Sequence, residues 1–272
     1  ETEAIMREGL PLEIFARLAL LNRDYVVHGF FPFEYFQPQG PAIERSIDIR
    51  AHRDSTFTVP SDAKSRAGES WPERTNLLVE VKQRRAGVSW IFAALPKSKA
   101  EHSIAGSGVP VVNAGFELRP GKDGPKATGS ESAIANATAQ LWQSSFPFHL
   151  YRKEQALGPL ERAMEARQGK LRESDWLLVL TNADLKVFRP PDNFEDLDLK
   201  RSSSAQYFED VSWLVYQAPA PLWLQFHQKR YLKKKGGFLP DGTERQAAQH
   251  LTDRAPEIHI VKYSGLDAFL AF

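Results

Sequence analysis

The stretch Leu77-Leu78-Val79-Glu80-Val81-Lys82-Gln83-Arg84-Arg85 constrains this chain more than any other. Leu77, Leu78, Val79 and Val81 supply the apolar and β-branched content of a buried strand. Glu80 and Lys82 stand at alternate positions, so both project from one face of it. An acid and a base in the middle of an apolar strand cost several kcal/mol of desolvation unless something meets them. They meet each other, as an ion pair on a sheet face, or they meet a metal ion and an anionic ligand. Both readings fit this segment taken alone.

A second acid lies upstream in a similar setting. Residues 44–51 read as a short strand in which Ile47 and Ile49 point one way and Asp48 the other. Before it, residues 3–22 carry a helical pattern broken near Gly9 and Pro11, with Leu12, Phe15, Ala16, Ala19 and Leu20 as one apolar face. Glu13 falls in the first turn of the second piece, where an acid suits the helix N-terminus. Residues 25–31 read as a strand that extends through 33–36 beyond Pro32. Residues 52–75 are polar and hold Pro60, Gly68 and Pro72, the marks of a long excursion between two strands.

Beyond the Glu80 strand, residues 88–95 are apolar, and a Gly- and Lys-rich loop region with Lys97 and Lys99 follows. Such a loop is a solvated surface or a cradle for phosphates. Ser130 or Ser132 is placed to cap a helix running to about Ser144, packed through Ala139, Leu141 and Trp142 and carrying Gln140 and Gln143. A charged amphipathic helix is expected over 151–168. Residues 176–181 form the cleanest buried strand of the second half, and 185–188 its partner after the Asn182-Ala183-Asp184 turn. A linker or loop over 190–206, a strand over 211–216, a helix over 221–232 and a strand over 257–263 complete the order, with a turn or helix at 265–270. Lys233, Lys234 and Lys235 form a basic tip, an exposed loop or a weak polyanion contact.

Composition removes several function classes. No cysteine is present, which excludes disulfides, thiolate metal sites and a cysteine nucleophile. The net charge of +1 and a pI near 8.2 give no global field for a polyanion, so any such binding rests on local patches. No apolar run reaches the length of a bilayer span, and no membrane partner is expected. No Gly-x-Ser-x-Gly elbow, Gly-x-Gly-x-x-Gly turn or Walker-type lysine loop occurs, and the histidines lack zinc-ligand spacing. His52 lies near Asp48 in sequence but suits a surface role. A cytoplasmic setting of prokaryotic type is the expectation.

The remaining chemistry centres on the acids. Consecutive strands usually pair, which puts Asp48 and Glu80 side by side on one sheet face. Two carboxylates a strand apart make a hard-oxygen site suited to Mg²⁺ or Mn²⁺. Such an ion lowers the pKa of a bound water and neutralises charge on a phosphoryl oxygen, and Lys82 beside it can orient that water or stabilise the transition state.

Ser46-Ile47-Asp48-Ile49-Arg50-Ala51 followed by Val79-Glu80-Val81-Lys82 resembles the PD-(D/E)XK, or restriction endonuclease-like, nuclease superfamily. The resemblance covers roughly residues 3–188. It implies an α/β (α+β) fold, an αβββαβ core with a mixed central sheet flanked by helices, plus a C-terminal elaboration. It implies Asp48, Glu80 and Lys82 as catalytic residues, with Asp48, Glu80, the Val81 carbonyl and Glu13 as metal ligands and Gln140 as a further site residue. Lys97, Lys99, Lys233, Lys234 and Lys235 are the candidate nucleic-acid contacts. The expected organisation is a core over 1–190, with insertions at about 52–75 and 96–130, and an extension over 191–272 packed on it, in the same domain or beside it. The implied activity is Mg²⁺- or Mn²⁺-dependent endonuclease cleavage of DNA, in restriction, repair or antiviral defence. RNA cleavage, a binding or protein-interaction module on the same fold, and an unrelated domain with a structural ion pair stay open. Duplex cutting by such chemistry usually takes two active sites, which allows a homodimer, or a larger chain or complex that supplies regulation.

Overall fold

A computed structural model of the chain describes residues 10–37, 39–58, 70–94, 109–122, 124–128, 132–155, 172–189, 206–217, 221, 224, 227–230 and 256–271. Helix α1 (Leu10–Leu21) carries two charged residues, Glu13 and Arg17. Its buried face is Leu12, Ala16 and Leu20, an i, i+4, i+8 stripe. Phe15, expected on that face, is half exposed and instead touches Tyr263. The helix ends in a turn that places Asp24 at φ 62° and returns the chain to the sheet.

The strand expected over 25–31 divides into β1 (Val26–Val27) and β2 (Phe31–Phe36). Gly29 between them has φ 77°, a conformation that ends extended structure. β2 pairs with β3 (Ala42–Ile47) in a separate antiparallel ribbon. The next strand, β4 (Ile49–Thr58), follows after the single residue Asp48. Ile47 and Ile49 therefore do not point the same way, as alternation alone suggests. The bend at Asp48 sends Ile47 into one core and Ile49 into the other.

β4 pairs antiparallel with β5 (Ser70–Lys82) from Ile49↔Val79 to Thr58↔Ser70. Much of the polar stretch expected to be an excursion is thus ladder, in which Arg74 of β5 and Asp54 of β4 pair across the strands at 2.7 Å. β6 (Ser89–Ala94), β7 (Val111–Arg119) and β8 (Lys126–Thr128) precede helix α2 (Ala133–Gln155). After α2 come β9 (Arg172–Thr181), β10 (Asp184–Phe188), β11 (Phe208–Val211), β12 (Trp213–Tyr216) and β13 (Ile258–Lys262), and then a 3₁₀ turn and α3 (Leu266–Ala271).

α2 runs on past Ser144, through Pro147, and covers the start of the helix expected over 151–168; residues 156–168 lie outside the described set. Ser132 Oγ caps it on the Ala135 amide. Proline at 147 lacks the N–H that would bond the Gln143 carbonyl. His227 fills that role. Its Nδ1 accepts from the Phe36 amide at 3.1 Å, which leaves the proton on Nε2 to donate to Gln143 O at 2.9 Å. Burial pushes this imidazole down to about 4, so it is neutral at pH 7 and keeps both bonds.

The main sheet has eleven strands in the order β1-β4-β5-β9-β13-β12-β7-β6-β10-β11, with β8 on β7. β1-β4-β5 are antiparallel, and β5-β9 and β9-β13 are parallel. This is a mixed α/β architecture with helices on both faces. Leu177 and Val179 of β9 enter the core under α2 and the β2–β3 ribbon, while Leu178 and Leu180 enter the core under α1 and α3. The expected C-terminal extension supplies β11, β12 and β13 to this same sheet, with β13 directly beside β9. β10 does not pair with β9, as the tight turn suggested. It pairs with β6 and β11, because the Ala183 amide turns back onto Thr181 Oγ1 and the chain departs from β9 there.

Gly115 lies opposite Phe92 on β7, where a Cβ would come within 2.5 Å of the Phe92 ring. Phe92 is buried and cannot swing out. Gly115→Ala is expected to cost about 1–3 kcal/mol, read as a lowered urea midpoint at unchanged slope; a midpoint equal to wild type would contradict this packing.

Candidate active site

Asp48 occupies the bend between β3 and β4, and this placement decides what it does. Its Oδ2 accepts the Val81 amide of β5 at 2.7 Å, so the side chain takes a place in the ladder where β3 has left the sheet. Val81 enters the site through that amide as well as through any role of its carbonyl. Glu80, next along β5, is 1% exposed. The Lys82 Nζ donates to Glu80 Oε1, as the same-face spacing requires. Glu80 Oε2 is buried and has no hydrogen-bond partner among the described residues. Asp48, Glu80 and Lys82 are therefore brought together on the sheet face that α2 covers.

The electrostatics follow from this burial. Desolvation pushes the Glu80 carboxyl up to about 7; the Lys82 ammonium pulls against it, nearby Asp48 pushes further, and Arg45 pulls back. Asp48 is raised as well, chiefly by burial, against the Val81 amide and Lys82, with Glu13 adding to the rise and Arg17 opposing it. Glu80's ionisation is thus opposed by Asp48, and that of Asp48 by Glu13.

Glu13 sits on α1 with its Oε1 held by Arg17 at 2.5 Å and 3.1 Å. Arg17 also donates to the Asp48 carbonyl at 3.0 Å. The guanidinium thus ties α1 to the bend, and Glu13 lies near Asp48 with Arg17 bonded to both. Among the described residues no group of three or more His, Cys, Asp and Glu side chains is set to hold a metal ion. Asp48 and Glu80 form a pair, and the orphaned Glu80 Oε2 fits a divalent cation. Such an ion would complete its shell from backbone carbonyl and water oxygens, as Mg²⁺ commonly does.

Gln140 of α2 donates from Nε2 to the Ser46 carbonyl at 2.8 Å, two residues from Asp48. It steadies the end of β3 at the site's rim. Lys97, Lys99, Lys233, Lys234 and Lys235 lie outside the described residues. His52 is stacked on His28, 2.8 Å between ring nitrogens, further out along β4.

Three contributors escaped the sequence reading. Arg17 was signalled only by its i+4 spacing from Glu13. Arg45 is a cation on β3 that contacts Gln143 at 3.3 Å, lies 5.1 Å over the Tyr35 ring and reaches Glu80 with its field. Thr181 donates from Oγ1 to the Lys82 carbonyl at 2.8 Å and fixes that end of β5 against β9. Comparison of the chain with protein-family models, with curated proteins and with solved structures finds no match.

Proposed function

We propose that this protein is a metal-dependent nuclease that hydrolyses phosphodiester bonds, with DNA as its substrate and Mg²⁺ or Mn²⁺ as its cofactor. The observation that carries the reading is one arrangement: Asp48 beside a buried Glu80 with an unanswered oxygen, and Lys82 on the same face. With β2–β3 and β6–β8 taken as insertions, the order α1, β1, β4, β5, α2, β9 supports the restriction endonuclease-like core, since β1-β4-β5 are antiparallel and β9 returns parallel to β5. Restriction, repair and antiviral defence are the settings that suit such an enzyme.

In this reading Asp48 and Glu80 would hold the ion, with the Val81 carbonyl beside them and Glu13 supporting from α1. When bound, the ion supplies an acidified water and neutralises charge on the phosphoryl oxygens. Lys82 donates hydrogen bonds to the attacking oxygen or to the phosphate as negative charge builds there. The Val81 amide keeps the Asp48 carboxylate aimed, and Arg17 and Gln140 hold the bend on either side.

The test is cleavage of plasmid, linear and single-stranded DNA, and of RNA, with Mg²⁺, Mn²⁺ or a chelator. Metal-dependent products support the reading, and RNA-only products would reassign the substrate. No product on any nucleic acid with any divalent ion would overturn it in favour of a binding module.

A further inference from the structure

Outside this site, the most elaborated polar cluster surrounds Glu117. This residue of β7 is fully buried, opposite the fully buried Trp90 of β6. Trp90 Nε1 donates to its Oε2 at 2.9 Å. Its Oε1 accepts from Arg84 at 2.6 Å and from Arg119 Nε. Burial alone would raise the Glu117 carboxyl, but the bonds from Arg84, Arg119 and Trp90 outweigh it and hold the group below its usual range, so it stays ionised. One carboxylate is thus set against two guanidiniums, an excess of one positive charge.

That excess lies close to the end of β5 that carries Lys82. Arg84 lies two residues beyond Lys82, about 7 Å along an extended chain. Its backbone is clamped by Asn182, whose Oδ1 accepts the Arg84 amide at 2.5 Å and whose Nδ2 donates to the Arg84 carbonyl at 2.9 Å. Arg84 Nε is buried and has no hydrogen-bond partner among the described residues. Arg119 engages Glu117 through Nε while its side chain is 46% exposed, and exposed Lys126 is its neighbour on β8. A polar pin that only joined β6 to β7 would need a single guanidinium. Planar forks oriented by a buried carboxylate, with donors left over, match a phosphate.

We propose that Arg84 and Arg119, held on Glu117, form an anion site for a backbone phosphate of the nucleic-acid strand flanking the bond that is cut. This rests on the nuclease reading and extends the substrate path from Lys82 toward the β7–β8 hairpin.

Binding without turnover tests it: fluorescence anisotropy of a fluorescein-labelled DNA duplex and of a single strand, in EDTA, over a salt series. Arg84→Ala and Arg119→Ala are each expected to weaken binding about 5- to 20-fold and to reduce the salt slope by about one. Arg84→Lys should recover only part, because lysine lacks the fork. Trp90→Phe, which removes a bond to Glu117 without changing charge, should lower the melting temperature more than it lowers affinity. Unchanged affinity and slope in the half-exposed Arg119→Ala variant, with its fold intact, would overturn the site, as would a wild type that binds neither DNA. A separate Mn²⁺ titration separates the two readings. Metal bound by Asp48 and Glu80 without DNA affinity removes the anion site alone, whereas arginine-dependent DNA affinity without metal binding or cleavage removes the cutting centre alone.

Discussion

Asp48→Ala and Lys82→Ala are each expected to lower metal-dependent cleavage by at least about 10²-fold, the scale on which a preorganised ligand or donor acts. The two losses have different origins. Asp48→Ala removes a ligand and also frees the Val81 amide, so both the metal site and the β4–β5 junction loosen. Lys82→Ala leaves Glu80 buried without its cation, which pushes an already raised carboxyl further toward its neutral form. Lysine loss therefore also weakens the metal site, and raising the pH should restore part of the metal affinity in this variant but none of the proton donation. Single-turnover rates at saturating Mn²⁺ read the donor role, and Mn²⁺ titration reads the ligand role. A Lys82→Ala enzyme that cuts within a few-fold of wild type at saturating metal would exclude Lys82 from the chemistry.

The pairing of these three side chains was legible because it depends on period-two alternation and on the tendency of neighbouring strands to pair. Glu80 and Lys82 share a face in any strand, and Ile49↔Val79 brings Asp48 to them. What could not be read was where alternation fails. Asp48 is a bend rather than a strand centre, so Ile47 and Ile49 serve different cores. Gly29 splits one expected strand in two through its backbone angle. The helix expected to end near Ser144 continues through Pro147, because His227 answers the carbonyl that the proline orphans. Polarity between 52 and 75 suggested loop, but sheet solvated on its faces is polar for the same reason. Apart from the local turn at Gly29, these misses are long-range contacts overruling local preferences. The Glu117 cluster belongs to the same class, because its members come from three segments that the fold alone brings together.

The second large effect concerns what the site costs the fold. The Glu80 carboxyl lies at about 7 in the folded protein against 4.5 for its unperturbed form. The folded protein therefore binds more protons than the unfolded chain between those values, and stability falls as pH rises across that window. The favourable contribution is complete below about 4.5 and lost above about 7. The full shift corresponds to about 3 kcal/mol, and the Lys82 contact and local relaxation reduce what a variant recovers. Glu80→Gln keeps the size of the side chain and cannot ionise, so at pH 8 it is expected to be more stable than wild type by about 1–2 kcal/mol, and near pH 5 the difference should vanish. Mn²⁺ should reverse the order at pH 8, stabilising wild type in proportion to its occupancy and leaving Glu80→Gln unchanged. Urea unfolding at the two pH values, with and without Mn²⁺, reads all four states. This experiment also decides between a functional pair and a structural one. If Glu80 and Lys82 existed to hold β5 in place, neutralising the acid would weaken the protein most at pH 8, where both charges are present, and metal would change nothing. A protein that becomes more stable when Glu80 loses its charge, and gives up metal binding in the same step, keeps that carboxylate for its chemistry.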